Sequence, residues 1–384
     1  MTENSILPDA TLGMLGGGQL GRMFAQAAQQ MGYRVHVFCP EADCPAAQAA
    51  AEHTCANYDD MAALDAFAAD IAVCSLEFEN IPVGAVERVA RKVPVRPGAR
   101  VLHITQDRLR EKSFLSNHDI SVVPFRPVDG LDSLREAIDE LGTPCVLKTS
   151  ACGYDGKGQT KINAPNEAEA AWESIGKQAA VLEAWVTYEA ELSIIAARSP
   201  SNELVCFPLF HNEHENHILD VTTCPAPFDE RVSIDATELA ERVVTALDYV
   251  GLLCIELFLE PGGRLLVNEI APRPHNSGHL TIEAAHTSQF EQQVRAVCNL
   301  PLGGASLRVP GAAMANLLGH HWSDSDPDWR SLIGGSADDD AGGHLHLYGK
   351  AAAKPGRKMG HLTVTDASPD TARARVRALR SNLG

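Results

Sequence analysis

The sequence predicts a protein of mixed α/β and α+β class, in which a parallel sheet covered by helices precedes a larger strand-rich region. Three observations predict it. Strand and helix patterns alternate through the first hundred residues, which is the signature of a βαβ series. From Cys145 onward strand patterns dominate. Two apolar runs flank Pro261-Gly262-Gly263-Arg264, and a glycine pair between such runs reads as a β-hairpin loop.

The elements follow in order. Residues 11–15 form a strand, 21–31 a helix and 33–38 the next strand. Residues 62–69 form a second helix, and 71–76 a buried strand ending at Glu77 and Glu79. The proline-rich stretch 93–98 approaches a domain boundary. A helix begins near Asp107, and another covers 133–141, stopped by Gly142 with Pro144 beyond. Strands at 145–148, 181–186 and 191–195 follow, then a helix at 234–247 and the hairpin. Beyond Pro301 come short strands around 343–348 and 361–365 and a helix from Asp370, with the basic run 354–358 in a loop. There is no internal repeat or low-complexity tract; Asp338–Asp340 is an acidic surface loop.

With 384 residues the chain is long enough for two or three cores, and 45% hydrophobic with 21% charged residues is ordinary for a globular protein. A net charge of −18 argues against a nonspecific nucleic-acid binder, whose affinity comes from neutralising phosphates. Small anionic substrates remain compatible with it, because local Lys and Arg clusters override the overall sign. The N-terminus lacks the pattern of a secretory signal, and no apolar run reaches the roughly 20 residues of a membrane span. Ten scattered cysteines without a Cys-x-x-Cys pair fit reduced thiols. A cytoplasmic protein is expected.

The hairpin carries the first chemical signal. If Gly262 and Gly263 form a two-residue loop, Glu256 falls directly opposite Glu269. Opposed like charges destabilise a sheet. Alternation places Cys254, Phe258, Leu265 and Val267 on the same face, so the pair is poorly solvated and must be neutralised. A shared proton would do this, and so would a hard cation of the Mg²⁺ type. An edge hairpin with one solvated face is the bland alternative, disfavoured because that face is otherwise apolar.

Two glycine loops follow strands. The run from Gly16 to Gly21 contains Gly-x-Gly-x-x-Gly at the start of a helix, with Glu41 placed 20 residues beyond, as in a Rossmann dinucleotide site. It is the strongest argument for a nicotinamide-dependent oxidoreductase, but the motif alone is weak: a tight turn that binds any phosphate, or none, fits equally well, and competing nucleotide signals lie downstream. The second run, Gly153-Tyr-Asp-Gly-Lys-Gly158, offers a phosphate-closing flap with Lys148 and Lys157, or a plain flexible hairpin tip. It lacks the Walker pattern. Arg273-Pro-His-Asn-Ser-Gly-His279 sets a cation, imidazole, amide and hydroxyl four residues after Glu269, in a loop where they can converge on a substrate. The spacing of His211, His214 and His217 matches no zinc motif and suits a loop with one or two ligand contacts.

Taken together, four segments resemble a family. They are Gly16-Gly-Gly-Gln-Leu-Gly-Arg22, Gly153-Tyr-Asp-Gly-Lys-Gly-Gln159, Asn268-Glu-Ile-Ala-Pro-Arg-Pro-His-Asn-Ser-Gly-His279 and Lys354-Pro-Gly-Arg-Lys-Met-Gly-His361. In order and over essentially the whole chain, they look like those of the N5-carboxyaminoimidazole ribonucleotide synthetases of purine biosynthesis, which are ATP-grasp enzymes. The resemblance implies a three-domain ATP-grasp architecture. A Rossmann-like parallel-sheet domain would span 1–104, the ATP-grasp domain 105–300 with a flap subdomain at about 120–187, and a small C-terminal domain 301–384.

The resemblance also implies site residues. Arg108, Lys148 and the flap Gly153, Tyr154, Asp155, Gly156, Lys157, Gly158 and Gln159 would contact ATP. Glu183, Ala184, Trp185 and Val186 would form the adenine hinge, Glu191 would take the ribose hydroxyls, and His214, Asn268 and Glu269 would add nucleotide contacts. Glu256 and Glu269 would hold Mg²⁺. Gln19, Leu20, Glu77, Asn276, Ser277, Lys350 and Arg357 would hold 5-aminoimidazole ribonucleotide. Arg273 and His275 would face bicarbonate and its carboxyphosphate, with Tyr154 and Lys350 joining the catalytic set. A homodimer is implied.

Two positions depart from the family pattern. Ala151-Cys152 replaces a pair ending in glycine before the flap, which is expected to stiffen it. Ala271 stands where many ATP-grasp enzymes place a third metal ligand, leaving the ion to two glutamates, phosphates and water. The expected reaction is ATP-dependent carboxylation of 5-aminoimidazole ribonucleotide with bicarbonate through carboxyphosphate. Its rivals are another ATP-grasp carboxylase or ligase, the nicotinamide oxidoreductase, and a nucleotide sensor without turnover.

Overall fold

Why the first hundred residues alternate is plain in the computed structural model, which describes residues 4–151, 158–322, 327–333 and 342–383. The apolar runs β1 (Thr11–Leu15), β2 (Arg34–Cys39), β3 (Glu52–Cys55) and β4 (Val73–Leu76) form a parallel sheet ordered β3-β2-β1-β4. Helices α1 (Gln19–Gln30), α2 (Met61–Ala69), α3 (Val83–Ala90) and α4 (Ala99–Thr105) pack around it. Strand β3 and helices α3 and α4 were not expected from the sequence. Strand β3 is only four residues with no fully buried position, so it carries little apolar pattern.

Asp107 caps α5 (Arg108–Asn117) by accepting from the Arg110 N–H, as the start near Asp107 predicts. There follow β5 (Phe125–Val128), α6 (Leu131–Leu141), β6 (Cys145–Thr149), β7 (Gln159–Ile162), α7 (Ala168–Ser174) and β8 (Ala180–Ala184). Gly142 ends α6 with φ +77°, a conformation suited to glycine. The four strands form an antiparallel sheet ordered β5-β8-β6-β7, backed by α6 and α7. The flap residues Gly153, Tyr154, Asp155, Gly156 and Lys157, together with Cys152, lie outside the described residues, as does the acidic loop 338–340.

The largest sheet has nine strands, all antiparallel. It begins with β9 (Ala190–Arg198), β10 (Leu204–Cys206), β11 (Phe210–Glu215) and β12 (Ile218–Cys224). After α8 (Glu230–Leu247), β13 (Gly251–Leu259) and β14 (Leu265–Ala271) complete one edge. Helices α9 (Thr281–Ala284) and α10 (Gln289–Val297) lead to β15 (Gly311–Leu318), α11 (Trp329–Ile333), β16 (His344–Leu347), β17 (Lys358–Asp366) and α12 (Pro369–Ser381). Strands β15–β17 extend the same sheet, in the order β14-β13-β9-β11-β12-β15-β17-β16. Strands β10, β11, β12 and β15 escaped the sequence reading; β15 is a run of small apolar residues, Gly-Ala-Ala-Met-Ala-Asn-Leu-Leu, without β-branched residues.

The hairpin needs a correction. Glu256 does pair with Glu269, but through a different loop. Glu260 donates its N–H to Arg264 O at 2.9 Å, so the connection has three residues, Pro261, Gly262 and Gly263, with Gly262 at φ +96° and Gly263 at φ +89°. Leu257 consequently faces Val267, one residue away from the two-residue-loop register. A bulge in β14, with Asn268 as the extra residue opposite the step from Glu256 to Leu257, restores the expected pair at Glu269. Leu265 and Val267 therefore leave the glutamate face and join the core beneath α8, with Leu257 and Leu259. Cys254 packs in the core on the other side of the sheet, while Phe258 lines a cavity with Glu256.

Candidate active site

Two sheets frame a cavity of about 520 Å³. Helix α5 supplies Arg108, β6 and β7 supply Lys148 and Gln159, and the end of β8 supplies Glu183, Ala184, Trp185 and Val186. From the large sheet come Glu191, His214, Glu256, Phe258, Asn268 and Glu269, with His275 and Asn276 from the following loop. Nearly every described residue expected to touch the nucleotide thus meets in one place, of a size ordinary for small-molecule sites. Gly158 sits at the flap base with φ +69°, where a Cβ would lie 2.5 Å from Thr149 Oγ1. Only glycine suits both conditions.

Fixed charges organise the walls. Lys148 Nζ donates to Glu183 Oε2 at 2.7 Å, and Lys112 Nζ lies 3.1 Å from Glu183 Oε1. Burial opposes a charge on Glu183, but Lys112 and Lys148 hold its carboxyl at about 2. Glu183 is therefore a strut between two lysines, and Lys112 also donates to the Asn268 carbonyl at 3.0 Å. Across the cavity His214 pairs with Glu191 at 2.6 Å, and the Tyr188 hydroxyl donates to Glu191 at 2.6 Å. Burial disfavours the His214 charge, yet Glu191 raises its pKa. Tyr188 stacks on Phe258 with centroids 4.5 Å apart.

Each of the opposed glutamates has its own cation. Arg108 Nη1 donates to Glu269 Oε2 at 2.9 Å, and His275 Nε2 lies 2.9 Å from Glu256 Oε1. Burial disfavours the His275 charge, but the Cys254 sulfur and the Glu256 carboxylate carry the imidazole up to about 10. Glu256, buried but opposite His275, is held at about 2. Glu256 therefore needs no shared proton. Two carboxylates side by side on a cavity wall are a donor set suited to a hard divalent cation, which accepts few protein ligands and keeps water and phosphate oxygens.

The loop after β14 is rigidly held. Gln289 is fully buried, accepts from the His275 N–H at 3.0 Å and donates to the His275 carbonyl at 2.8 Å. Ser277 is fully buried, and its hydroxyl meets His275 Nδ1 and Ser193 Oγ, each at 2.8 Å, so it orients the imidazole. Asn276 differs: both polar atoms of its buried amide lack a partner, as does Asn268 Oδ1, and both residues line the cavity. Such orphaned groups cost about 1–3 kcal/mol each unless a ligand meets them. Arg273 grips Glu79 through Nε at 2.5 Å and Nη2 at 3.2 Å.

A second cavity, of about 240 Å³, lies at the carboxyl end of the parallel sheet. Gly17, Gly18, Glu41, Cys44 and Glu77 form one wall, with Lys350 and Arg357 from the loop before β17. Gln19 and Leu20 open α1 beside it. Lys350 Nζ donates to the Lys358 carbonyl at 2.6 Å. The Gly18 N–H donates to the Glu77 carboxylate, and a Cβ at Gly18 would fall 2.1 Å from Glu77 Oε1. The N-terminus of α1 is thus already occupied by a carboxyl group from the chain itself, whose charge burial opposes. That overturns the dinucleotide reading of Gly16–Gly21, since a pyrophosphate would need the position Glu77 fills.

Sequence reading missed Lys112, Glu111 and Glu79. Arg108, Glu111 and Lys112 share one face of α5 at helical spacing, the one signal that could have found them. His211, His214 and His217 form no metal-binding group: His211, on strand β11, packs edge-on against Phe228, whereas His214 engages Glu191 and lines the cavity together with His217.

Comparison with known proteins agrees with this geometry. Family models described as a ribonucleotide synthetase preATP-grasp domain, an ATP-grasp domain and a phosphoribosylaminoimidazole carboxylase C-terminal domain match residues 9–106, 113–290 and 312–375. The chain is 43% identical to the N5-carboxyaminoimidazole ribonucleotide synthase of Brucella melitensis, covering 94% of this chain and 98% of that protein. It is 41% identical to a bifunctional purine synthesis protein of Dictyostelium discoideum, of which it spans only 37%. A crystal structure of an N5-carboxyaminoimidazole ribonucleotide synthetase with ADP superposes with a TM-score of 0.92 at 39% identity, over 98% of this chain and 97% of that one. The Aspergillus clavatus enzyme with ADP and 5-aminoimidazole ribonucleotide superposes at 0.86 and 28% identity, over 98% and 99%.

Proposed function

The chain belongs to the N5-carboxyaminoimidazole ribonucleotide synthase family, and from that premise we propose how its two cavities divide the reaction. It is an ATP-grasp ligase that carboxylates 5-aminoimidazole ribonucleotide at the expense of ATP in purine synthesis. ATP occupies the larger cavity. Its adenine lies along 183–186, its ribose on Glu191, and its phosphates beside Arg108, Lys148 and the flap. The ribonucleotide takes the smaller cavity, with its phosphate on Lys350 and Arg357 and its ring toward Glu77, Gln19 and Leu20. One observation carries this reading: Arg108, Lys148, Glu191, His214, Glu256, Asn268 and Glu269 all line one cavity between the two antiparallel sheets.

Glu256 and Glu269 hold Mg²⁺, which supplies charge neutralisation for the transferring phosphoryl group. Bicarbonate accepts the γ-phosphoryl group of ATP, releasing ADP and giving carboxyphosphate, whose carboxyl group passes to the exocyclic amine of the ribonucleotide as inorganic phosphate leaves and the amine gives up a proton. Arg273, aimed by Glu79, offers charge-assisted hydrogen bonds to the anionic carboxyl oxygens. His275 is held by Ser277 and Gln289 and stays protonated while Glu256 faces it. Asn276 spends its unpartnered amide on substrate. The flap with Tyr154 excludes water from the labile intermediate. The division of the chain into 1–104, 105–300 and 301–384 is part of the same proposal, as is action in the cytoplasm.

The test is ADP release from the purified protein with Mg²⁺-ATP and bicarbonate, with and without the ribonucleotide. Stimulation by the ribonucleotide, with acid-labile ¹⁴C fixed from bicarbonate, supports the assignment. ADP formation indifferent to the ribonucleotide overturns the acceptor. Glu256→Gln is expected to lower ATP turnover at least about 100-fold with an unchanged circular dichroism spectrum. Near-normal turnover in that variant would remove Glu256 from the metal site.

A further inference from the structure

Tertiary folding gathers three soft donors that are scattered in the sequence. Cys39 ends β2, His53 lies on the adjacent parallel strand β3, and Cys44 sits in the loop between them. Cys39 Sγ is 3.1 Å from Cys44 Sγ and 3.4 Å from His53 Nε2, and all three donor atoms fall within 4.8 Å of one another. Among the described residues this is the only such group of three His, Cys, Asp or Glu donors. We propose that Cys39, Cys44 and His53 form a binding site for a thiophilic, tetrahedral cation of the Zn²⁺ type, distinct from the Mg²⁺ site.

Chemistry and geometry both favour a metal over a disulfide. A tetrahedral ion with metal–sulfur bonds of about 2.3 Å and a metal–nitrogen bond of about 2.0 Å separates its ligands by about 3.5–3.8 Å. The Cys39 sulfur–imidazole spacing already fits, and the two sulfurs, 3.1 Å apart, need to part. A disulfide would instead require them to close to about 2.05 Å and would leave the imidazole without a role. Both sulfurs are buried, and two thiolates offset a divalent charge, so the loaded site is neutral overall. Each thiol gives up one proton to solvent on binding. Three protein ligands leave the fourth position to water.

The surroundings are closed on one side. A Cβ at Gly17 would lie 2.5 Å from Cys39 Sγ and 2.6 Å from Cys44 Sγ, so the second glycine of the first glycine loop makes room for these sulfurs. Ala46 N–H donates to the Gly17 carbonyl at 2.9 Å, fastening the loop over them. An ion here would tie the ends of β2 and β3 to the segment carrying Glu41, Asp43 and Cys44 along the smaller cavity.

The test uses the full-length protein, stripped with chelator, reduced, and saturated with Mg²⁺ to occupy the carboxylate site. Titration with Co²⁺ is expected to bind one equivalent and to show thiolate-to-cobalt charge-transfer absorption with tetrahedral d–d bands. Zn²⁺ is expected to displace it and to raise the thermal midpoint. Cys44→Ser and His53→Ala should each weaken binding at least about tenfold, whereas Cys55→Ser, at an exposed neighbour, should not. Circular dichroism of the variants separates lost binding from lost folding. The proposal falls if the reduced protein gives no charge-transfer band, if Cys44→Ser binds normally, or if mild oxidation links Cys39 to Cys44 in a chain that binds no Co²⁺.

Discussion

At the scale of single residues, the site is governed by buried ionisable groups that stand beside the reacting groups. Glu111 is one. Burial first, and then the Glu269 carboxylate, push its carboxyl up to about 8 from an ordinary 4.5. Between those values the folded state keeps a proton that the unfolded chain has lost, so stability falls as pH rises through this window. Glu111→Gln is expected to flatten that decline, read as chemical-denaturation midpoints measured from pH 5 to 8; an unchanged slope would contradict it. Lys112 is the other. Its side chain is 1% exposed and that of Glu183 3%, so removing the cation strips a buried carboxylate of one of its two lysine ion pairs and leaves Lys148, with Arg108 acting from farther off. Lys112→Met is expected to cost about 3–5 kcal/mol of stability, measured by urea unfolding.

At the scale of elements, the β13–β14 hairpin shows how local irregularity serves chemistry. The three-residue loop shifts the register by one, and the bulge at Asn268 shifts it back, which returns Glu269 to Glu256 and leaves an amide aimed into the cavity. The β6–β7 hairpin is constrained differently. Gly158 combines positive φ with a Cβ position already filled by the Thr149 hydroxyl. Gly158→Ala is expected to cost about 1–3 kcal/mol and to raise KM for ATP more than it lowers kcat, because it displaces the base of the flap. Equal effects on both Michaelis parameters would instead point to a role in the chemical step.

At the scale of the whole molecule, the parallel sheet, the four-stranded sheet and the nine-stranded sheet each contribute a wall to one or both cavities. Arg273 on the loop after β14 grips Glu79 beyond β4, and Arg96 reaches the Val297 carbonyl, so the N-terminal unit is bolted to the large sheet near the site. The C-terminal strands belong to the same sheet as the hairpin that carries Glu256 and Glu269, which fixes Lys350 and Arg357 relative to Glu256. A homodimer is the expected assembly. Light scattering across a concentration series should give twice the 41.2 kDa chain mass, and a constant monomer mass would exclude it.

Much of this was legible in the chain. Alternating apolar runs determined the parallel sheet, caps such as Asp107 and Gly142 marked helix ends, and the motifs around Gly153, Asn268 and Lys354 pointed to the nucleotide chemistry. These are local signals, set by backbone periodicity and by residue types with few alternatives. Strand β15 and the polar strands β11 and β12 were not legible, because their places depend on neighbours distant in sequence. The same holds for the Glu183 strut between two lysines, the grip of Glu79 on Arg273, the Glu77 carboxylate at the start of α1, and the meeting of Cys39, Cys44 and His53. Burial and charge pairing arise only when separate elements pack, so only the tertiary structure decided which side chains face one another and which cavity each one serves.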